Sequence, residues 1–186
     1  MDLDYEKERN ILFLMQQVYS SLISVSNKLQ ATGDNFCTPI TSRQYMTILA
    51  ILHLPEDDRT IVNIASMLGA TKQNITQVIN SLEKKGLVVI EQSQKDKRAV
   101  NVCITEGGME TMINCGKSST VDFMATIFRS FSEEELKVLW SLLKKLYRFD
   151  GKVMDGFDVD ANIPDVASEE DVKQGLERFS KLRKLN

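Results

Sequence analysis

Two stretches of this chain hold the side chains best suited to recognition chemistry. In TKQNITQVINSLEKKG, Thr71 to Gly86, the residues Lys72, Gln73, Asn74, Thr76, Gln77 and Asn80 fall on one side of a helical repeat. The other side carries Ile75, Val78, Ile79 and Leu82. Thr71 stands where a helix N-cap is expected, and Gly86 where a left-handed C-cap is expected. Side chains that donate and accept hydrogen bonds together are suited to reading base edges. Gln and Asn match N6 and N7 of adenine, Thr can touch a thymine methyl, and Lys72 reaches phosphate or guanine. A merely polar, solvated helix face is the plainer alternative.

The second stretch is SQKDKRAV, Ser93 to Val100, between the short apolar runs Leu87 to Ile90 and Val100 to Ile104. It occupies a hairpin tip, yet lacks the Gly, Asn or Pro of a tight turn. A longer cationic loop can reach past a neighbouring helix. Lys95 and Lys97 would then meet phosphates, and Arg98 would enter a minor groove, where negative potential favours a guanidinium. Asp96 is expected to accept hydrogen bonds from Arg98 and hold it ready. The alternative is an exposed ion pair worth under about 1 kcal/mol.

Other reactive residues are few. The one histidine, His53, lies on an apolar helix near Pro55 and suits packing or a helix end better than catalysis. There is no GxSxG, HExxH or Walker-type loop, so an enzyme is not expected. Cys37, Cys103 and Cys115 are odd in number and widely spaced, which encodes neither a disulfide framework nor a zinc site. Reduced thiols are expected, and no metal or other cofactor. Cys37, in an apparent loop, is the better candidate for a reactive thiol, although nothing basic beside it would lower its pKa.

The formal net charge is -3, but its distribution is uneven. Between Thr71 and Arg98 there are six basic residues against three acidic ones, whereas the tail from Asp150 onward is acidic. A local basic surface on an acidic protein is what phosphate binding requires. The charged start MDLDYEKERN and the lack of a long apolar run lead us to expect a cytoplasmic protein with no membrane association.

These residues need elements to position them. Ile11, Leu14, Met15, Val18, Leu22, Val25 and Leu29 draw one stripe along a first helix, about Tyr5 to Gln30, too long to be left without a partner. Thr41 and Gln44 form a capping box for a second helix that buries Tyr45, Ile48, Leu49 and Leu52 and stops before Pro55. A short helix, Val62 to Leu68, ends at Gly69. Strands are expected at Leu87 to Glu91 and Ala99 to Ile104, with a long helix from Thr105 through Phe128 whose start Gly107 and Gly108 weaken. Ser132 and Glu135 open another helix, striped by Leu136, Leu139, Trp140, Leu143, Leu146 and Tyr147. A linker follows, and then a terminal helix capped by Ser168, with Val172, Leu176, Phe179 and Leu182 facing something apolar.

The expected fold is therefore mostly α with a small β-wing, a winged helix-turn-helix with long dimerisation helices. Its expected divisions are 1–40 (N-terminal dimerisation helix), 41–104 (winged DNA-binding domain), 105–149 (C-terminal dimerisation helices) and 150–186 (acidic linker and terminal helix). Ile11, Leu14, Val18, Leu136, Leu139 and Leu143 are the expected dimer contacts. In such an arrangement the second helix of the motif enters the major groove with its N-terminal half against the bases.

The segments TSRQYMTILAIL, LGATKQNITQVINSLEKKGLV and DKRAVNVCITEGG, in that order, resemble the MarR family of bacterial transcription regulators. The likeness runs from about Glu6 to Phe149 and includes Thr41, Gln44 and Tyr45, the element Leu82 to Leu87, the Asp96 and Arg98 pair, and Thr105, Glu106 and Gly108. It implies a homodimer on a pseudo-palindromic operator in double-stranded DNA and a small-molecule effector pocket between the dimerisation and DNA-binding parts. A repressor released by its ligand is the form of control expected. Gln77 stands where many members carry a basic residue, and Ile11, Leu12 and Met15 stand where oxidation-sensing members place a cysteine. The rival reading is a winged-helix module that binds protein through its terminal helix.

Overall fold

The computed structural model describes residues 3–92, 100–151 and 169–183. Helix α1 (Tyr5–Gly33) starts where Asp4 accepts the N–H of Lys7 at 3.1 Å. Its 29 residues extend about 43 Å at the α-helical rise. The apolar stripe is there but uncovered, with Leu14 and Met15 about three-fifths exposed.

An elbow at 34–41 turns the chain into α2 (Ser42–His53). The Thr41 and Gln44 side chains cap this helix reciprocally, as their spacing predicts, each satisfying a main-chain N–H of the other residue. Ile48 and Leu52 enter the core, while Tyr45 and Leu49 sit half-buried at its edge. Next come a single 3-10 turn (Glu56–Asp58), α3 (Ile61–Met67) and α4 (Lys72–Lys84). Gly69 and Gly86 both have positive φ, 59° and 71°, at the bends that end α3 and α4, where a Cβ would be strained.

The wing pairs β1 (Val88–Gln92) with β2 (Val100–Ile104) antiparallel, in the register Val88 with Ile104, Ile90 with Val102 and Gln92 with Val100. A third edge was not visible in the sequence. Thr60 bridges Asn101, and the Val102 N–H donates to the Arg59 carbonyl at 2.9 Å. Two residues of bridging carry no alternating pattern that could be read beforehand. Ile48, Ile51, Ile64, Ile75, Ile79, Leu82, Val88 and Val102 are all buried, which makes α2, α3, α4 and the hairpin one core.

The expected long helix after the wing comprises α5 (Glu106–Asn114), a π-helical turn (Cys115–Thr120) and α6 (Val121–Phe128). Thr105 locks its start: the hydroxyl donates to the Gly86 carbonyl at 2.7 Å and accepts from the Gly108 N–H at 3.0 Å. Helix α7 (Glu133–Tyr147) has the Ser132 and Glu135 capping box, whose hydrogen bonds hold the Glu135 carboxyl below its ordinary range. No helix among the described residues is long and apolar enough to cross a membrane.

Helix α8 (Glu169–Arg183) lies against α6. The Arg178 guanidinium forks onto both oxygens of Asp122, at 2.6 and 2.5 Å, and Arg183 donates to the Phe131 carbonyl at 3.3 Å. One expectation fails here. Phe179 and Leu182 face inward, but Val172 and Leu176 remain more than half exposed, so only the C-terminal part of the stripe is covered.

Candidate nucleic-acid interface

Helix α4 is fixed by what it buries. Ile75, Ile79 and Leu82 pack into the core, with Ile79 fully enclosed. Their spacing leaves Lys72, Gln73, Asn74, Gln77 and Asn80 exposed on the outer face. Thr71 is committed to capping: its hydroxyl oxygen accepts the Asn74 N–H at 3.2 Å. The Thr76 hydroxyl turns back onto the Lys72 carbonyl at 2.8 Å, so its methyl is the group left for an outside contact. Asn74 makes its bond to the cap through its main chain, which leaves the side-chain amide for other contacts. The first two turns of α4 thus present amides and one ammonium on a rigid, exposed rod.

Lys95, Asp96, Lys97 and Arg98 lie outside the described residues. The strands that carry them, β1 and β2, are anchored by Val88 and Val102 in the same core that holds α4.

The basic cluster read along Thr71 to Arg98 needs one correction. Lys85 does not join the outer face. Its Nζ donates to the Pro39 carbonyl and to Gln44 Oε1, both at 2.9 Å. Helical periodicity places a Cα on a face, but four methylenes let the ammonium travel back toward the elbow. Gln44 was expected only as a capping residue, and it is also a buried cross-link whose Nε2 donates to Ser81 Oγ at 3.0 Å.

The cysteine expectation is also corrected. Cys37 belongs to a loop but is buried, and Cys115 Sγ lies 3.9 Å from its carbonyl oxygen. Burial pushes both thiols above their ordinary range, the opposite of activation. On the wing, burial and then the nearby Glu91 carboxylate raise Cys103 as well. Titration with an aromatic disulfide reagent at neutral pH will therefore modify Cys103 first. Cys37 and Cys115 will react on the timescale of unfolding, and immediate reaction of all three would contradict their burial. His53 sits at the end of α2 with Nδ1 2.9 Å from the Leu49 carbonyl; since a carbonyl only accepts, Nδ1 carries the proton.

A cavity of about 1180 Å³ opens between α1, α7 and the bend from α3 to α4. Its walls are mainly apolar, with Leu14, Val18 and Leu22 on one side and Trp140, Leu143 and Tyr147 on another. The Tyr147 hydroxyl donates to the Met67 carbonyl at 3.0 Å and so ties α7 to the end of α3. Ala65, Ser66, Gly69 and Ala70, which lead into α4, also line this space.

A helix, a bend, a second helix with an exposed polar face and a two-stranded hairpin on one core define a winged helix-turn-helix protein. Residues 38–99 match the family model described as MarR family. The fold as a whole is the one that MarR-family transcription regulators share. A MarR/EmrR family transcriptional regulator from Acinetobacter sp. ADP1 superposes with a TM-score of 0.65 at 21% identity, covering 75% of this chain and 99% of that one. For MepR of S. aureus in its DNA complex the values are 0.59 and 24%, covering 69% of this chain and 95% of that one. For CouR of Rhodococcus jostii RHA1 bound to p-coumaroyl-CoA they are 0.60 and 18%, covering 72% and 94%.

Proposed function

We propose that the protein is a homodimeric repressor that binds a pseudo-palindromic site in double-stranded DNA and is released by a small, largely apolar ligand. The exposed amide face of α4, held rigid by Ile75, Ile79 and Leu82, carries this reading. The N-terminal half of α4 lies in the major groove, with Lys72, Gln73, Asn74, Thr76 and Gln77 toward the bases. Lys95, Lys97 and Arg98 meet the backbone and minor groove beside it, with Asp96 orienting Arg98.

The dimer reading is supported by α1, too long and too exposed along Ile11, Leu14 and Val18 for one small domain to cover. Leu136 and Leu139, half-buried, and the more exposed Leu143 contribute from α7. Two copies must hold their recognition helices roughly 34 to 36 Å apart to meet successive major grooves. A ligand between α1 and α7 touches the bend that leads into α4, so filling the cavity changes that separation. A coupling of about 1 to 3 kcal/mol alters affinity 5- to 150-fold, which is enough for release.

The test is fluorescence anisotropy with duplexes selected by the protein from a randomised library. We expect tight binding by a dimer and an affinity that falls steeply as salt rises. Arg98→Ala will weaken binding to all duplexes and flatten the dependence of log Kd on log salt by about one ion, and Asp96→Ala will weaken it less. Failure to enrich any sequence, or binding indifferent to salt, would overturn the proposal in favour of a protein-binding module.

A further inference from the structure

The elbow at 34–41 is gripped from two directions. On the stem side, the ring of Phe36 packs on Phe123 of α6 with centroids 5.5 Å apart, and Cys115 Sγ approaches the Cys37 carbonyl. On the winged side the grip is polar and comes from the far end of α4. Lys85, its C-cap residue, donates to the Pro39 carbonyl and to Gln44 Oε1. Gln44 Oε1 also accepts the Thr41 N–H at 3.1 Å, while its Nε2 donates to Ser81, one turn before Lys85. Lys85 and the Thr41 N–H can only donate, which fixes the orientation of the buried amide.

We propose that Lys85 and Gln44 are positioning residues for DNA binding, a polar rod through which the setting of the elbow is imposed on the recognition helix. This rests on the DNA-binding reading above. Lys85 lies about 20 Å along the helix from Thr71, so it cannot share the base contacts of the first turns. The core side chains of α4 are apolar and fix its depth without direction, whereas hydrogen bonds from an ammonium and an amide to named oxygens fix its rotation and tilt. Because those oxygens belong to the elbow and to the first turn of α2, movement of α1 reaches α4 through this pair.

A phosphate contact by Lys85 is the competing explanation, and salt separates the two. The experiment measures binding to a library-selected duplex of about 30 base pairs, long enough for two half-sites, by wild-type, Lys85→Met, Lys85→Arg and Gln44→Leu proteins. Circular dichroism melting checks that each variant folds. For Lys85→Met we expect about tenfold weaker specific binding, with the slope of log Kd against log salt unchanged and binding to a random duplex barely altered. Lys85→Arg, which keeps a donor, recovers most of the affinity. The double variant Lys85→Met/Gln44→Leu is no weaker than the poorer single one, because both substitutions break one linkage.

Unchanged specific affinity in Lys85→Met would overturn the proposal. So would a slope reduced by about one ion together with equal losses on specific and random duplexes, which marks a direct phosphate contact. If Gln44→Leu unfolds the protein, the comparison of Lys85→Met with Lys85→Arg still decides. If the wild-type protein selects no duplex, the DNA-binding reading fails first and takes this one with it.

Discussion

Asn74→Ala/Gln77→Ala will lose roughly 30-fold to 10⁴-fold in affinity for a selected duplex while melting at the wild-type temperature. Each side-chain amide lies on the exposed face of α4 and can make a two-point contact with a base, worth about 1 to 3 kcal/mol of discrimination. Removing both amides at once accounts for the range. Neither side chain contributes to the core, so stability should move by no more than about 0.5 kcal/mol. Anisotropy titration against the selected duplex and against a scrambled one checks both parts. The loss must be far smaller on the scrambled duplex, because phosphate contacts made elsewhere are untouched. Equal losses on both would mean that these amides do not read sequence, and an unchanged affinity would place the bases somewhere other than the first turns of α4.

The second large effect concerns adjacent glycines at the start of α5. Gly107→Ala should stabilise the protein and Gly108→Ala should destabilise it. In a helix, Ala is ordinarily favoured over Gly by roughly 0.5 to 1 kcal/mol. A Cβ at Gly107 meets nothing nearer than Thr105 Oγ1 at 3.9 Å, so that benefit is kept. A Cβ at Gly108 would overlap the Leu87 carbonyl, a main-chain group that cannot swing away, and press on Ile104. Overpacking typically costs about 1 to 3 kcal/mol, and a backbone obstacle lies at the upper end. In a chain of this size each kcal/mol moves the melting point by roughly 2 to 4 °C. Thermal melts should therefore rise by about 1 to 3 °C for Gly107→Ala and fall by about 4 to 8 °C for Gly108→Ala. A Gly108→Ala protein as stable as wild type would show that the start of α5 does not press on the end of α4.

Much of the scaffold was legible in the sequence because helix ends are written in short codes. Thr41 with Gln44, Thr71, Thr105, and Ser132 with Glu135 each cap the helix their spacing predicts. The outer face of α4 was legible for the same reason: a period of 3.6 separates Ile75, Ile79 and Leu82 from the amides without any knowledge of the partner helices.

What escaped depends on reach and on company. Lys85 counts as one more cation by composition, and only the folded elbow reveals that its ammonium has oxygens within range. Cys37 looks accessible because it lies in a loop, yet that loop is folded against Cys115 and the core. Val172 and Leu176 continue an apolar stripe whose covering stops at Phe179, since a stripe shows what a helix can bury and not how far its neighbour extends. Gly108 looked like a weakness in a helix start, and its use emerges only beside the Leu87 carbonyl.

The π-helical turn at Cys115–Thr120 makes the chain sensitive to length in a way that no single substitution tests. Such a turn accommodates one surplus residue within an otherwise regular helix. Deleting one residue there would restore an unbroken α-helix and advance everything after it by about 100° around the axis. Phe123 would then swing off Phe36, and Asp122 would turn away from Arg178. One codon's loss at this point would uncouple the elbow and the last helix together, although every remaining amino acid would be unchanged.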